Sequence, residues 1–322
     1  MIAVSYHDTV NVLQDVATTH CGPFDRADWF ALLAERRSST LVVLASDGEQ
    51  TIALPLVRAN GRIEPLHNWY SFTWRPVGSG NLTLLTSAAR DLRSRAHRVT
   101  LWPVPDEDGW ATRLAEAFRK AGWSVRSEPC DHNHVLEIDG RNFAEYWAER
   151  PGQMRTTLKR KGKKVEVEIL KRFDAMAWDA YEAIYNESWK PEEGAPDLLR
   201  RFAEAEGAAG RIRLGLARAE GVPVAAQFWT VENGIAYIHK LAHRESAKPL
   251  SAGATLTAAL FEHVIDRDKV ALIDFGTGND PYKADWMELD RPRYRIDCLD
   301  PAQPRAWPAL AKRALAPFQR AS

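Results

Sequence analysis

The sequence predicts a mixed α/β (α+β) fold: two domains in tandem, each a largely antiparallel sheet flanked by helices. Three observations carry this. The chain has 322 residues, a length suited to two domains of roughly 100–200 residues each. Strand-like runs alternate with helix-length segments in both halves. In the second half, three strand patterns are separated only by Glu220-Gly221 and Asn233-Gly234, turn-forming pairs that imply an antiparallel meander.

Taken in order, 25–36 has a helical pattern, with Trp29, Phe30, Leu32 and Leu33 as its apolar face and Asp25 as N-cap. Strands follow at 41–44 and 51–57, joined at Asp47-Gly48. A short helix over 87–97, a strand at 98–102 and a helix over 110–122 come next, and then strands at 123–126 and 134–138. The domain boundary is placed at Asp139-Gly140, giving domains 1–139 and 140–322. A helical spacing over 143–164 ends in a basic run that includes Arg155, Lys159, Arg160, Lys161, Lys163 and Lys164. Helices over 178–189 and 197–206 precede the meander strands at 211–217, 222–230 and 235–241. A polar loop, 243–251, leads to an Ala- and Leu-rich helix over 252–265, a buried strand at 270–273 and a last strand at 293–298.

Composition narrows the function classes. Hydrophobic residues make up 45% and charged residues 27%, and 43 Lys+Arg balance 43 Asp+Glu. A neutral chain argues against a surface built as a whole for nucleic acid or anionic membrane. The three cysteines, Cys21, Cys130 and Cys298, are odd in number and widely spaced, which supports neither a disulfide framework nor a metal site. No apolar run approaches the ~18 residues of a spanning helix, and the N-terminus does not read as a signal peptide. The expectation is a cytoplasmic protein without a metal.

Two segments suggest a site. Lys248-Pro249-Leu250-Ser251-Ala252-Gly253-Ala254 is a loop running into a helix N-terminus, whose unpaired N–H groups and positive dipole end can hold a pyrophosphate. An ordinary helix start capped by Ser251 is the alternative. The stretch 270–286 delivers a strand into Asp274-Phe275-Gly276-Thr277-Gly278, then Tyr282, Lys283 and Trp286. It suits either a pocket lining or a tight turn carrying a solvated lysine.

The loop-then-helix arrangement resembles the GNAT acetyltransferase superfamily, with Lys248 and Ser251 departing from its Arg/Gln-x-x-Gly-x-Gly/Ala pattern. Arg155 and the basic run, Ser188-Trp189-Lys190, Ala225-Ala226-Gln227-Phe228, 237–243, Ser251-Ala252-Gly253-x-x-Leu256 and Asp274-Phe275-Gly276-x-Gly278-x-x-x-Tyr282-Lys283-x-x-Trp286 occur in one order. Together they resemble the CelD/BcsL-like acetyltransferases, relatives of the FemAB-like transferases, over about 140–298. The resemblance implies two GNAT-like folds in tandem, the first degenerate, with acetyl-CoA or another acyl-CoA as donor. It also implies a small-molecule or glycan acceptor, often tied to polysaccharide or cell-envelope metabolism. FemAB-like relatives use aminoacyl-tRNA instead, which the basic run would suit, and a non-catalytic GNAT-fold accessory protein is the third reading.

Acyl transfer from a thioester needs a base for the acceptor's proton and donors for the developing oxyanion. Under the resemblance, Lys248, Ser251, Ala252, Gly253 and Ala254 hold the donor, and His239, Asp274, Tyr282 and Lys283 are catalytic candidates. His239 offers a base, Asp274 an orienting carboxylate, Tyr282 an acid for the leaving thiolate and Lys283 an anion ligand. Trp189, Lys190, Gln227 and Tyr237 are candidates for the acceptor side. Each also has a plain structural reading: a strand histidine, a cap for the Gly276 turn, a packing tryptophan, or a glutamine on a polar face.

Overall fold

The computed structural model describes residues 1–16, 22–278 and 280–315. Cys21 and Asn279 lie outside the described residues; Cys130 and Cys298 are free thiols. The chain forms two compact units, residues 1–132 with 291–322 and residues 133–290.

The first unit contains β1 (Ala3–His7), α1 (Ala27–Ala34), β2 (Thr40–Ser46), β3 (Thr51–Ala59), β4 (Arg62–Pro65), β5 (Val77–Gly78), α2 (Leu82–Leu92), β6 (Arg98–Pro105) and α3 (Trp110–Lys120). β7 (Ser124–Glu137) leads into the second unit. That unit holds α4 (Phe143–Ala148), α5 (Gly152–Lys161), β8 (Glu166–Leu170), α6 (Ala175–Asn186), α7 (Pro196–Ala208), β9 (Ile212–Ala219), β10 (Val222–Glu232), β11 (Ile235–His243), α8 (Ala252–Glu262) and β12 (Leu272–Asp274). β13 (Leu289–Leu299) and α9 (Trp307–Leu315) follow.

The two units share one strand topology. In the first unit the order is β1-β2-β3-β4-β6-β13, and in the second β8-β9-β10-β11-β12-β7. Each has four antiparallel strands, then one parallel pair (β4 with β6, β11 with β12), then an antiparallel strand. A parallel pair needs a crossover, and α2 and α8 supply it at equivalent places. The repeat is thus carried by topology.

In the second unit α8 covers one face of the sheet. Its Leu256, Leu260 and Phe261 pack with Trp229, Ile238 and Ile273 in one fully or nearly fully buried cluster. Gly215 in β9 lets the helix approach: a Cβ there would lie 2.9 Å from both Leu256 Cδ1 and Leu260 Cδ1. The other face is covered by α6 and α7, where Trp178 and Phe202 meet Phe228 edge-on at centroid distances of 5.3 and 5.8 Å. A buried bidentate pair, Arg213 with Asp268, ties β9 to the segment after α8.

Several expectations are corrected. Residues from 291 onward sit in the first unit, because β13 pairs antiparallel with β6. Asp25 does not cap α1; it lies in a preceding 3-10 turn, buried against Arg75. The helix read at 87–97 starts at Leu82, because Asn81 caps it by accepting from the N–H groups of Thr83 and Leu84. The helical stretch 143–164 is two helices, since Pro151 cannot continue α4. Strands β1, β4 and β8 are too short and polar to stand out from pattern alone. Among the described residues, no helix is long and apolar enough to cross a membrane.

Candidate functional site

The site candidate lies where β11 and β12 part. They pair in parallel at only three positions, Ile235–Leu272, Ala236–Ile273 and Tyr237–Asp274. Beyond these, β12 ends and turns at Gly276, whose φ of 68° lies in the left-handed region that glycine enters without penalty. β11 continues to His243, so a wedge opens between the strands. At the wedge β11 also bulges. Phe228 faces Lys240 and Trp229 faces Ile238, which leaves His239 as the extra residue. Bulges re-aim side chains and are over-represented beside active sites.

α8 begins at the same end of β11. Ser251, at φ 55° and ψ 36°, occupies a left-handed position, and its side chain makes no capping bond. This corrects the reading of Ser251 as an ordinary cap. Serine thus occupies a backbone conformation that glycine enters without penalty. The intrahelical ladder starts with Thr255 N–H to Ser251 C=O at 3.0 Å, so the amides of 252–254 precede it. The equivalent helix of the first unit, α2, is closed by Asn81. This difference distinguishes the two repeats chemically.

The first turn of α8 is held tightly. Gln227, buried in β10, donates to Gly253 C=O at 3.2 Å and to Thr257 Oγ1 at 2.7 Å, and accepts from Trp229 Nε1 at 2.9 Å. It therefore braces the helix start, the structural role that the sequence left open beside an acceptor contact. A Cβ on Gly253 would lie 3.1 Å from His243 Cδ2, so any larger residue there would have to push the His243 ring aside. Ala252 is buried and Ala254 half-buried. Trp189 stands half-exposed over His243, with ring centroids 4.4 Å apart, and Lys190 Nζ is 5.4 Å from the Trp189 ring. Both thus lie at the α8 end of the site. Lys248 is exposed and faces Glu245 at 3.9 Å.

His239 points to the α6–α7 face. Its Nε2 is 2.7 Å from Thr230 Oγ1, and its ring stacks on Phe228 at 4.9 Å and meets Phe202 edge-on. Tyr237 is buried in front of it, 6.4 Å ring to ring. Asp274 accepts from Asn133 Nδ2 at 3.0 and 3.2 Å and from Gly276 N–H at 2.7 Å. It braces the turn. Lys283 is buried, 4% exposed, donating to the carbonyls of Phe275 and Thr277 with Nζ 5.2 Å from the Phe275 ring. It ties its own turn back onto Phe275 and Thr277, whereas the sequence suggested a lysine open to an anion. Tyr282 is half-buried, edge-on to Phe275, and burial with nearby Asp280 pushes its hydroxyl pKa up.

Sequence reasoning missed Lys240 and Glu193. They form a buried pair at 3.0 Å, 10% and 8% exposed, with Lys240 Nζ 5.3 Å from the Tyr185 ring. Burial lowers the Lys240 pKa to about 8, Glu193 opposes that shift and Lys190 adds to it. Lys190 is also lowered by burial, against Asp280 and Glu193. The available signal was a lysine inside a largely apolar strand, directly after His239. Glu193 and Tyr185 also line a cleft of about 450 Å³ beside α6 and α7, with Trp178 and Tyr181 as further walls. Among the described residues, no group of three or more His, Cys, Asp or Glu could hold a metal ion.

No curated protein matches the sequence. Residues 152–284 match the family model of the acetyltransferase (GNAT) domain. Among solved structures the chain is similar to FemX (11% identity, TM-score 0.64, 91% of this chain and 96% of that one). It is also similar to L-PGS from Bacillus licheniformis (12%, 0.59, 92% and 98%). A tandem GNAT protein from the clavulanic acid biosynthesis pathway matches as well (12%, 0.50, 92% and 98%). The wedge, the bulge and the open helix start all fall inside the matched segment, so the chain carries a region similar to the acetyltransferase (GNAT) domain on a fold shared with tandem GNAT structures.

Proposed function

We propose that the second unit is an acyl-CoA-dependent N- or O-acyltransferase. The observation that carries this is the wedge between β11 and β12, with the uncapped start of α8 at its mouth. An acyl thioester laid in the wedge would place its phosphates at the amides of 252–254 and its carbonyl beside the bulge at His239. The acceptor's nitrogen or oxygen attacks that carbonyl, and backbone N–H groups of β11 hold the oxyanion. Collapse expels the thiolate, which takes a proton from Tyr282. The acceptor's own proton passes to the groups on the α6–α7 face, His239 or the Glu193–Lys240 pair, with Tyr237 beside them. Asp274, Lys283 and Gln227 hold the loop and helix that shape the wedge. Trp189 and Lys190 border the helix start, and Lys248 adds distant positive charge. The CelD/BcsL-like resemblance points to a polysaccharide or envelope-related acceptor, handled in the cytoplasm.

Likeness to FemX favours one second reading, an aminoacyl-tRNA donor. Thermal unfolding with added acetyl-CoA separates the two. A ligand at a hundred times its Kd adds about 2.7 kcal/mol of stability, so the melting temperature should rise with acetyl-CoA. No shift at millimolar acetyl-CoA removes the first reading. Salt-sensitive binding of charged tRNA in its place supports the second.

A further inference from the structure

We propose that the groove between α5 and α8 holds the phosphorylated nucleotide end of the donor, an inference that rests on the donor site described above. The groove measures about 700 Å³ and is lined by Phe143, Trp147, Arg155, Lys159, Thr255 and Glu262, among others. That volume is in the range of small-molecule sites.

Its position continues the wedge. The C-terminal end of α5 touches the first turn of α8: Lys161 Nζ is 3.4 Å from Ser251 Oγ, and a Cβ on Gly162 would lie 3.6 Å from Thr255 Cγ2. A phosphate at the amides of 252–254 therefore has Lys161 beside it. From there the groove follows Thr255, Ala258 and Glu262 along α8, a rise of about 10 Å. It ends at Phe143 and Trp147, which stack on each other at 5.6 Å and 21°. Small residues, Gly162, Ala258 and Ala259, are among its lining.

Charge sets the direction of the ligand. α5 has no buried residue and carries Lys159, Arg160 and Lys161 in its last turn, with Lys163 and Lys164 following. Arg155 is oriented by its Nε bond to Arg150 C=O at 3.0 Å. The one acid lining the groove, Glu262, lies at the aromatic end. Phosphates thus belong at the Lys161–Lys159 end and the base against Trp147, where a ring stacks regardless of its identity. The same chemistry is offered by a free nucleotide-bearing thioester and by the 3′ end of an RNA-borne donor.

The test is titration of the full chain, followed by Trp fluorescence and calorimetry, with adenosine 3′,5′-bisphosphate, a short single-stranded RNA and S-acetyl-pantetheine. The wild type should bind the bisphosphate. Arg155→Ala/Lys159→Ala, both exposed positions, should weaken it at least tenfold and lower the salt slope by about two. S-acetyl-pantetheine, which has no phosphate, should bind both proteins alike. RNA displacing the bisphosphate supports the groove and assigns it to an RNA-borne donor. Equal bisphosphate affinity in wild type and variant overturns the proposal. So does bisphosphate that fails to bind while S-acetyl-pantetheine binds, a result that leaves the wedge reading intact. Bisphosphate binding lost in the variant, with no S-acetyl-pantetheine binding anywhere, supports the groove and removes the wedge reading instead.

Discussion

Lys283→Met tests whether this lysine supports the loop or serves a ligand. Methionine keeps most of the stem and volume but removes the ammonium, leaving the carbonyls of Phe275 and Thr277 without that donor. Hydrogen bonds from a charged donor contribute about 1.5–3 kcal/mol each, and a partly desolvated cation over a ring about 1–2 kcal/mol. Part of this is offset because the variant no longer buries a charge. A net loss of about 3 kcal/mol is expected. For a unit spanning residues 133–290, each kcal/mol shifts Tm by about 2–4 °C, so the second unit should melt roughly 6–12 °C lower. Circular dichroism melts, run with and without acetyl-CoA, measure this. A variant that melts with wild type yet has no activity would refute the argument, because the ammonium would then be acting on a ligand.

Glu193→Gln leaves Lys240 buried without its carboxylate partner. Breaking such a pair costs about 3–5 kcal/mol, read as a lower urea midpoint, and an unchanged midpoint would show the pair to be incidental. The same pair gives a pH signature. The folded Lys240 pKa is about 8, below the unfolded value of about 10.4, so between these values the unfolded chain binds more protons and stability rises with pH. In Glu193→Gln that rise should begin at lower pH; identical curves for both proteins would discount Lys240 as its source. Ser251→Gly should be neutral to slightly stabilising and should not weaken acetyl-CoA binding, because the left-handed turn is kept. Ser251→Val, forced to φ 55°, should lose about 1–2 kcal/mol and bind donor less well, and equal behaviour of the two would contradict the role given to the turn. Gln227→Leu should cost about 1–3 kcal/mol by stranding Trp229 Nε1, while Gly253 C=O keeps its bond from Thr257 Oγ1, measured by thermal unfolding.

Strong periodic or turn-bounded elements were readable from residues alone. The meander announced itself because Glu220-Gly221 and Asn233-Gly234 punctuate alternating runs, and β9, β10 and β11 follow. α8 was legible from its apolar Ala and Leu pattern, and Lys248 to Ala254 was correctly located as the turn into it. The site's inner roles were not legible. Asp274, Gln227 and Lys283 are polar residues next to glycines or strands, a pattern that serves a pocket and a brace equally well. Only their partners decide between the two.

What the sequence by itself determined is local: where strands alternate, where glycines turn the chain, and where an Ala- and Leu-rich helix runs. These follow from backbone sterics and from the period of apolar residues, which neighbours along the chain already fix. The tertiary structure decided three things that depend on residues far apart in sequence. It separated β11 from β12 after three paired positions and made His239 the bulge. It joined Glu193 to Lys240 in a buried pair. It brought α5 alongside the open end of α8, while Asn81 closed the matching helix of the first unit. Each depends on desolvation and on hydrogen bonds between distant segments, energies that exist only once the sheet has brought those segments together.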